Sequence, residues 1–350
     1  MREFNESFTR IENLPEPKPC FDNILKVLSC QKPDRPTLFE FFMNPVLDEL
    51  VTGMKAVTFD ESNVRKVKSF AALGYDYTTI HASSFGFKRN TVERKESQSA
   101  NEGSIITDRE SYGQYVWDEP DDFYQNTIEK LAPHIPDGMK LIVMGPGGVL
   151  ENVTSLVGYD NLCYMLADDP ELVEIVFREV GSRLQKYYER IIDYPSVGAI
   201  ISNDDWGFNT QTMLSPRHMR EYIFPWHKKI VEAVHQRNKP CILHSCGNPI
   251  EVMDDITDDI KYDGRHSYED NIIPVEDFYE KFHERIAVIG GIDVNFIVTK
   301  TPEQIKERSK KMLERTAVRG SYALGTGNSV PEYIPVDNYL AMLSAAYDFD

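Results

Sequence analysis

The chain has 350 residues, long enough for one α/β barrel or two smaller domains, and far beyond a disulfide-stapled miniprotein. Lys and Arg number 38 against 56 Asp and Glu, a net charge of −18, so the surface repels nucleic-acid phosphates and anionic lipid and no nucleic-acid partner is expected. The five cysteines, Cys20, Cys30, Cys163, Cys241 and Cys246, are odd in number and scattered, which reads as reduced thiols. Neither a signal-peptide core after Met1 nor an uncharged apolar run long enough for a membrane span is visible, so a soluble, cytoplasmic protein is expected.

Residues 1–70 show no strand pattern and are expected to form a helical cover over one end of the fold. From about residue 71, short apolar runs alternate with longer amphipathic ones, the rhythm of repeated βα units. Seven strands are predicted: Tyr75–His81, Lys140–Met144, Val197–Asn203, Pro240–His244, Tyr262–His266, Arg285–Gly290 and Ser321–Leu324. Runs such as Leu141-Ile142-Val143-Met144 are apolar on both faces, as buried parallel strands require. Residues 85–120 are polar and are expected to form a lid or small hairpin insertion near the mouth. Asp169-Pro170, Ser215-Pro216 and the capping box Thr301-Pro302-Glu303-Gln304 mark helix starts. The expected architecture is a single-domain (β/α)8 TIM barrel.

In such a barrel the loops after the strands share one face, and reactive groups gather there. Polar clusters follow four of the predicted strands: Asn203-Asp204-Asp205-Trp206-Gly207, His244-Ser245-Cys246-Gly247, His266-Ser267-Tyr268-Glu269 and Gly327-Asn328-Ser329. His244 and Cys246 are two apart on an extended segment, so imidazole and thiolate face one ion from the same side, a pairing that suits zinc. The alternative is a buried histidine beside a buried free cysteine. Glu269 is the candidate third ligand, against a solvated loop carboxylate. Asp204 and Asp205 are candidate acid-base groups, and because adjacent residues diverge only one should turn into the mouth; an aspartate turn cap is the competing role. His81, at the end of the first strand, is a further catalytic candidate, and Asn328, Asp293, His266 and Trp206 are candidate substrate contacts, with packing the competing role for Trp206. Gly145-Pro146-Gly147-Gly148 lacks the spacing of a phosphate-binding fingerprint and reads as a tight turn.

From about residue 65 onward the chain resembles the uroporphyrinogen decarboxylase superfamily, and its methyltransferase branch more than the decarboxylases. The likeness rests on Leu73-Gly74-Tyr75-Asp76, Asn203-Asp204-Asp205-Trp206-Gly207, Leu214-Ser215-Pro216 with Tyr222-Ile223-Phe224-Pro225, Ile242-Leu243-His244-Ser245-Cys246-Gly247, Gly290-Gly291-Ile292-Asp293 and Gly325-Thr326-Gly327-Asn328-Ser329-Val330-Pro331. The decarboxylases hold substrate carboxylates with arginines in a segment resembling Asp34-Arg35-Pro36-Thr37-Leu38-Phe39-Glu40-Phe41 and use an aspartate after the first strand. Here no arginine follows Pro36, and Ser83 stands where that aspartate is expected. The methyltransferases hold zinc with a His-x-Cys pair and a later Cys, whose place falls at Asn328, or at Thr326 under a shifted alignment. A related glutamate ligand would match Glu269.

The resemblance implies a zinc-dependent methyltransferase that moves a methyl group between a corrinoid (methylcobamide) on a small partner protein and a small-molecule methyl donor or thiol acceptor. His244, Cys246 and Glu269 would be ligands, with a fourth position open. A decarboxylase or lyase on the same barrel and a non-catalytic corrinoid- or tetrapyrrole-binding protein are the alternatives. A homo-oligomer is compatible with all three.

Overall fold

The structure is a computed structural model and describes residues 18–83, 85–89, 104–120 and 123–349. Seven strands form one all-parallel sheet in chain order: β1 Tyr77–His81, β2 Lys140–Met144, β3 Val197–Asn203, β4 Cys241–His244, β5 Gly264–His266, β6 Ala287–Ile289 and β7 Tyr322–Ala323. All seven lie within the predicted ranges, β2 and β3 at full length and the other five shortened by one to three residues. Helices on the outer face alternate with the strands, and the core between the layers is built from fully buried residues such as Ile142, Val143, Ile200, Ile201, Val288 and the helical Val176, Val180 and Leu184. Both faces of each strand are covered, which is why the runs are apolar throughout.

The eighth position of the barrel is taken by a segment expected to be part of a helical cover. Residues 37–43 run extended between β7 and β1. Phe39 N–H donates to Leu324 O at 2.8 Å and Leu324 N–H to Thr37 O at 2.7 Å, giving the parallel bridge Leu38–Leu324. Toward β1 side chains stand in for a ladder: Thr79 Oγ1 donates to Phe41 O at 2.6 Å and Tyr77 Oη to Glu40 O at 2.8 Å. The segment carries no alternation and pairs through single bridges, so no strand pattern announces it. The remaining described part of the N-terminal region is helical, in Asp22–Leu28, Pro45–Thr52 and Phe59–Ala72.

The caps behave as their chemistry dictates. Asp169 accepts from Leu172 N–H at the start of the 22-residue helix Pro170–Ile191, and Thr301 and Gln304 satisfy one another's amides. In the polar stretch 85–120, residues 90–103 lie outside the described residues. Its described flanks contain the short helix Arg109–Gln114 and no strand, so the hairpin is not seen among them.

In-register pairing positions the site. Asn203, His244 and His266 are level across β3, β4 and β5, and the ladder continues past the strand ends through Asp204 N–H to His244 O (2.9 Å) and Ser245 N–H to His266 O (2.8 Å). The loops after β3 and β4 then touch, which two glycines permit. Gly247 sits at φ +84°, and a side chain there would lie 2.1 Å from Gly207 O.

Candidate metal centre

The two neighbouring aspartates after β3 part company, as adjacent extended residues must. Asp204 turns inward and is fully buried. Its Oδ2 accepts from Leu150 N–H (2.9 Å) and His227 Nε2 (2.9 Å), and its Oδ1 from Glu151 N–H (2.9 Å). It therefore caps the helix Val149–Val157 from the neighbouring strand, because Gly148 at the cap position has no side chain to do so. Gly148 also makes room for it, since a Cβ there would overlap Asp204 at 2.1 Å. Donation from His227 Nε2 leaves its Nδ1 as acceptor for the Tyr262 hydroxyl at 2.7 Å, with Ser202 Oγ at 3.2 Å. The Gly145–Gly148 turn thus serves packing, and Asp204, expected as a possible acid-base group, is a structural cap with its oxygens engaged.

Asp205 turns the other way. One oxygen accepts from Cys246 N–H at 2.8 Å, and Asp205, His244 and Cys246 present ligand atoms all within 4.8 Å of one another. Burial, opposed by the hydrogen bonds from Cys246, raises the Asp205 carboxyl. His244 Nε2 lies 3.9 Å from Cys246 Sγ. Zinc bonds of about 2.3 Å to sulfur and 2.05 Å to nitrogen at a tetrahedral angle separate such atoms by roughly 3.6 Å, close to what the fold holds ready.

The lone pair of His244 is set by a chain of partners behind it. Thr326 O can only accept, so His266, whose Nε2 lies 3.4 Å from it, carries its proton there; His266 Nδ1 is then an acceptor. His244 Nδ1, 2.7 Å away, must donate to it, which leaves the His244 Nε2 lone pair directed toward Cys246. Burial pushes both imidazoles down, His266 to about 3, so both stay neutral as this arrangement needs. Phe41 stacks on the His244 ring with centroids 4.0 Å apart. Beyond Thr326, Glu40 is fully buried and accepts from the Thr326 N–H and hydroxyl, each at 2.8 Å; burial lifts its carboxyl to about 8.

Cys246 receives a hydrogen bond from Asn328 Nδ2 at 3.2 Å, with Ser267 Oγ at 3.7 Å. Of the two positions at which a third sulfur was sought, residue 328 is the one against the thiol, while the Thr326 hydroxyl is spent on Glu40. Burial first and the Asp205 charge second push the Cys246 thiol up to about 12. A cation held by the three groups would reverse that effect. The donor set, one nitrogen, one sulfur and one carboxylate around partly open space, fits a zinc ion with a free fourth position.

Several predicted residues fall elsewhere. Glu269 does not join the compact group; it lines the adjoining cavity with Asn328 and Asp293, where burial, Asp293 and Asp205 raise its carboxyl. His266, expected at substrate, is fully buried behind His244 and acts through it. Trp206 is likewise buried, packed on Phe224 and His227, as a core residue would be. Asp293 lines the cavity but spends one oxygen on Phe296 N–H and the other on Asp270 N–H. His81 is open at the end of β1, and crowding together with Lys66 pushes it down to about 4. Ser83 Oγ accepts from Phe85 N–H. Glu151 was not foreseen: it caps its own helix through Gly148 N–H, and burial together with Asp204 and Asp205 lifts it to about 8. The Gly-rich turn before it was the only sequence signal.

Fold and site together define an α/β barrel protein whose strands bring three groups that could hold a metal ion together at their C-terminal ends. The model of the uroporphyrinogen decarboxylase (URO-D) family matches residues 71–349, and the chain belongs to that family. In structure it is similar to a methyltransferase from Methanosarcina mazei, at 15% sequence identity and a TM-score of 0.70, over 93% of this chain and 97% of that one. No curated protein matches it in sequence. No helix among the described residues is long and apolar enough to cross a membrane.

Proposed function

We propose that the protein is a zinc-dependent methyltransferase that moves a methyl group between a corrinoid, carried by a small partner protein at the barrel mouth, and a small-molecule donor or thiol acceptor. The observation that carries the reading is the convergence of Asp205, His244 and Cys246 within 4.8 Å at the ends of β3 and β4, with the His244 lone pair already directed inward. Asp205 replaces Glu269 in the proposed ligand set because it belongs to that group and Glu269 does not. Likeness of fold to a methyltransferase supports the same reading by analogy.

When bound, zinc would supply Lewis acidity, lowering the pKa of a coordinated thiol or polarising a leaving oxygen. The protein's own groups do the rest. His266 and Thr326 hold His244 in the tautomer that offers Nε2, Asn328 orients the Cys246 sulfur, and the buried walls keep bulk water from the donors. His81, open at the mouth, is neutral near pH 7 and too weak a base there to be the main proton acceptor. No described residue favours the decarboxylase reading. Arg35, the arginine of the segment where a carboxylate clamp was sought, is ion-paired with Asp76, which precedes β1, at the opposite end of the barrel from the mouth.

Metal analysis of the purified chain, paired with a cobalamin titration and methyl-transfer assays, tests the reading. One zinc per chain, lost in Cys246→Ser, together with transfer to or from a corrinoid is expected. A metal-free protein of unchanged fold would remove the zinc role, and carbon dioxide release from uroporphyrinogen would redirect the assignment to the decarboxylases.

A further inference from the structure

A cavity of about 760 Å³ opens beside the candidate metal centre, sharing Asn328 with it, so that one face of the Asn328 amide meets Cys246 and the residue also lines the cavity. Its charged groups differ sharply in how far they are already satisfied. Asp270 is held bidentately by Arg308 at 2.6 and 2.8 Å. Asp293 accepts two backbone N–H groups. Glu269 has no hydrogen-bond or ion-pair partner among the described residues, and its carboxylate is partly withdrawn from water with Asp293 and Asp205 nearby, against which the buried Arg265 guanidinium is the one opposing charge. The one cationic lining side chain, Lys300, is exposed and forms no ion pair with Glu269. Tyr333 supplies an exposed aromatic face and Val294, Val298 and Pro331 aliphatic wall, whereas the rings of Tyr268 and Phe296 already carry the Arg265 and Arg308 guanidiniums.

A carboxylate without a hydrogen-bond partner beside the exposed Tyr333 ring and aliphatic wall, with two further carboxylates behind it that outweigh Arg265, complements a positive charge carried on an apolar body. An anion of the same shape would meet repulsion from Glu269 and Asp293 and gain only the exposed Lys300, whose attraction is screened, and Arg265, which is buried behind the Tyr268 ring. Resting on the proposed function for the claim that this cavity is where substrate sits, we infer that the protein takes a cationic nitrogen compound, a protonated or quaternary amine, with its charge on Glu269. Carboxylate- or sulfonate-bearing molecules are selected against.

The test is calorimetric titration of the full-length protein with three probes of matched shape: choline, its uncharged isostere 3,3-dimethylbutan-1-ol, and pivalate. Choline is expected to bind about tenfold tighter than the isostere, with pivalate weakest. In Glu269→Gln that ratio should fall to near unity, while Glu269→Asp, which keeps the charge on a shorter stem, should retain the preference for choline; a thermal melt of each variant reports its fold. Equal affinity for choline and the isostere, tighter binding of pivalate, no binding of choline at all, or a ratio that survives Glu269→Gln would each overturn the inference. Cys246→Ser separates the two claims: a zinc-free variant that still prefers choline leaves the inference standing when the metal reading fails. A zinc-loaded protein that transfers methyl groups without charge preference does the reverse.

Discussion

Two clusters behind the ends of β3 and β4 contain nearly the same chemistry and do opposite things. Asp204, His227, Tyr262 and Ser202 form a closed network, fully or almost fully buried, in which both carboxylate oxygens and both imidazole nitrogens have partners. Asp205, His244 and Cys246, one residue further along the chain or one strand over, keep lone pairs in hand, and Asn328 links them to a cavity that it lines. An aspartate-histidine pair is therefore no guide to function by itself. What separates scaffold from reactive group is whether hydrogen-bonding capacity is left over and whether anything can reach it.

The comparison can be broken most directly at the open cluster. Replacing His244 or Cys246 by Ala should lower zinc affinity by more than roughly 100-fold, since loss of a mere supporting partner costs 10- to 100-fold, with near-native thermal stability of the metal-free form for Cys246→Ala and a lower one for His244→Ala, which empties the space against Phe41. Metal content by mass spectrometry and a melting curve on the same sample check both halves; retained stoichiometric zinc would move the centre elsewhere.

At the closed cluster the effects should invert. Asp204→Ala strips the cap from the helix Val149–Val157 and strands buried N–H donors, at a cost of about 3 kcal/mol in urea unfolding. The folded fraction should still bind zinc. Asp205→Ala should cost less than about 1 kcal/mol in stability yet weaken zinc binding, and the opposite pattern for the pair would show that the roles have been exchanged.

A smaller effect is expected one step behind the ligand. His266→Phe removes the acceptor for His244 Nδ1–H and should weaken zinc roughly 10-fold, whereas Gln, whose carbonyl accepts, should recover part of the loss. Equal affinity in both variants would show that the tautomer is set by something else.

The last test reads a slope against pH. Burial raises Glu40 from 4.5 to about 8, so the folded chain binds its proton more tightly than the unfolded chain. The stability this contributes is fully present below the unfolded value and is lost as pH climbs through the folded one, between about 4.5 and 8. Glu40→Gln should flatten that part of the stability curve. Urea midpoints at pH 5 and pH 9 for the two proteins provide the reading, and parallel curves would mean that Glu40 ionises without penalty.

Much of the fold could be read along the chain because parallel strands covered on both faces must be apolar throughout, as Leu141–Met144 and Ile286–Ile289 are. The eighth barrel position could not, since residues 37–43 pair by isolated bridges and through Thr79 and Tyr77 side chains. At the site, spacing was enough to place His244 and Cys246 on one side of an extended segment. The sense of Asp204 and Asp205 was not available, because a doublet says only that two residues diverge, not which of them meets the helix behind. Glu269 lay at a suitable distance along the chain but beside the cavity in space, and His266 and Trp206 were polar or aromatic residues at a strand end that turned out to face the interior.

Residue order alone therefore determined the βα rhythm, the helix caps and the His-x-Cys pair, all of which depend on neighbours a few positions away. The tertiary structure decided which aspartate became a cap, which imidazole became the ligand and which its support, and which carboxylate was left without a partner. Those outcomes depend on contacts between groups 22 to 286 positions apart, such as His244 with His266 and Glu40 with Thr326, and no local pattern encodes which polar groups those contacts will satisfy.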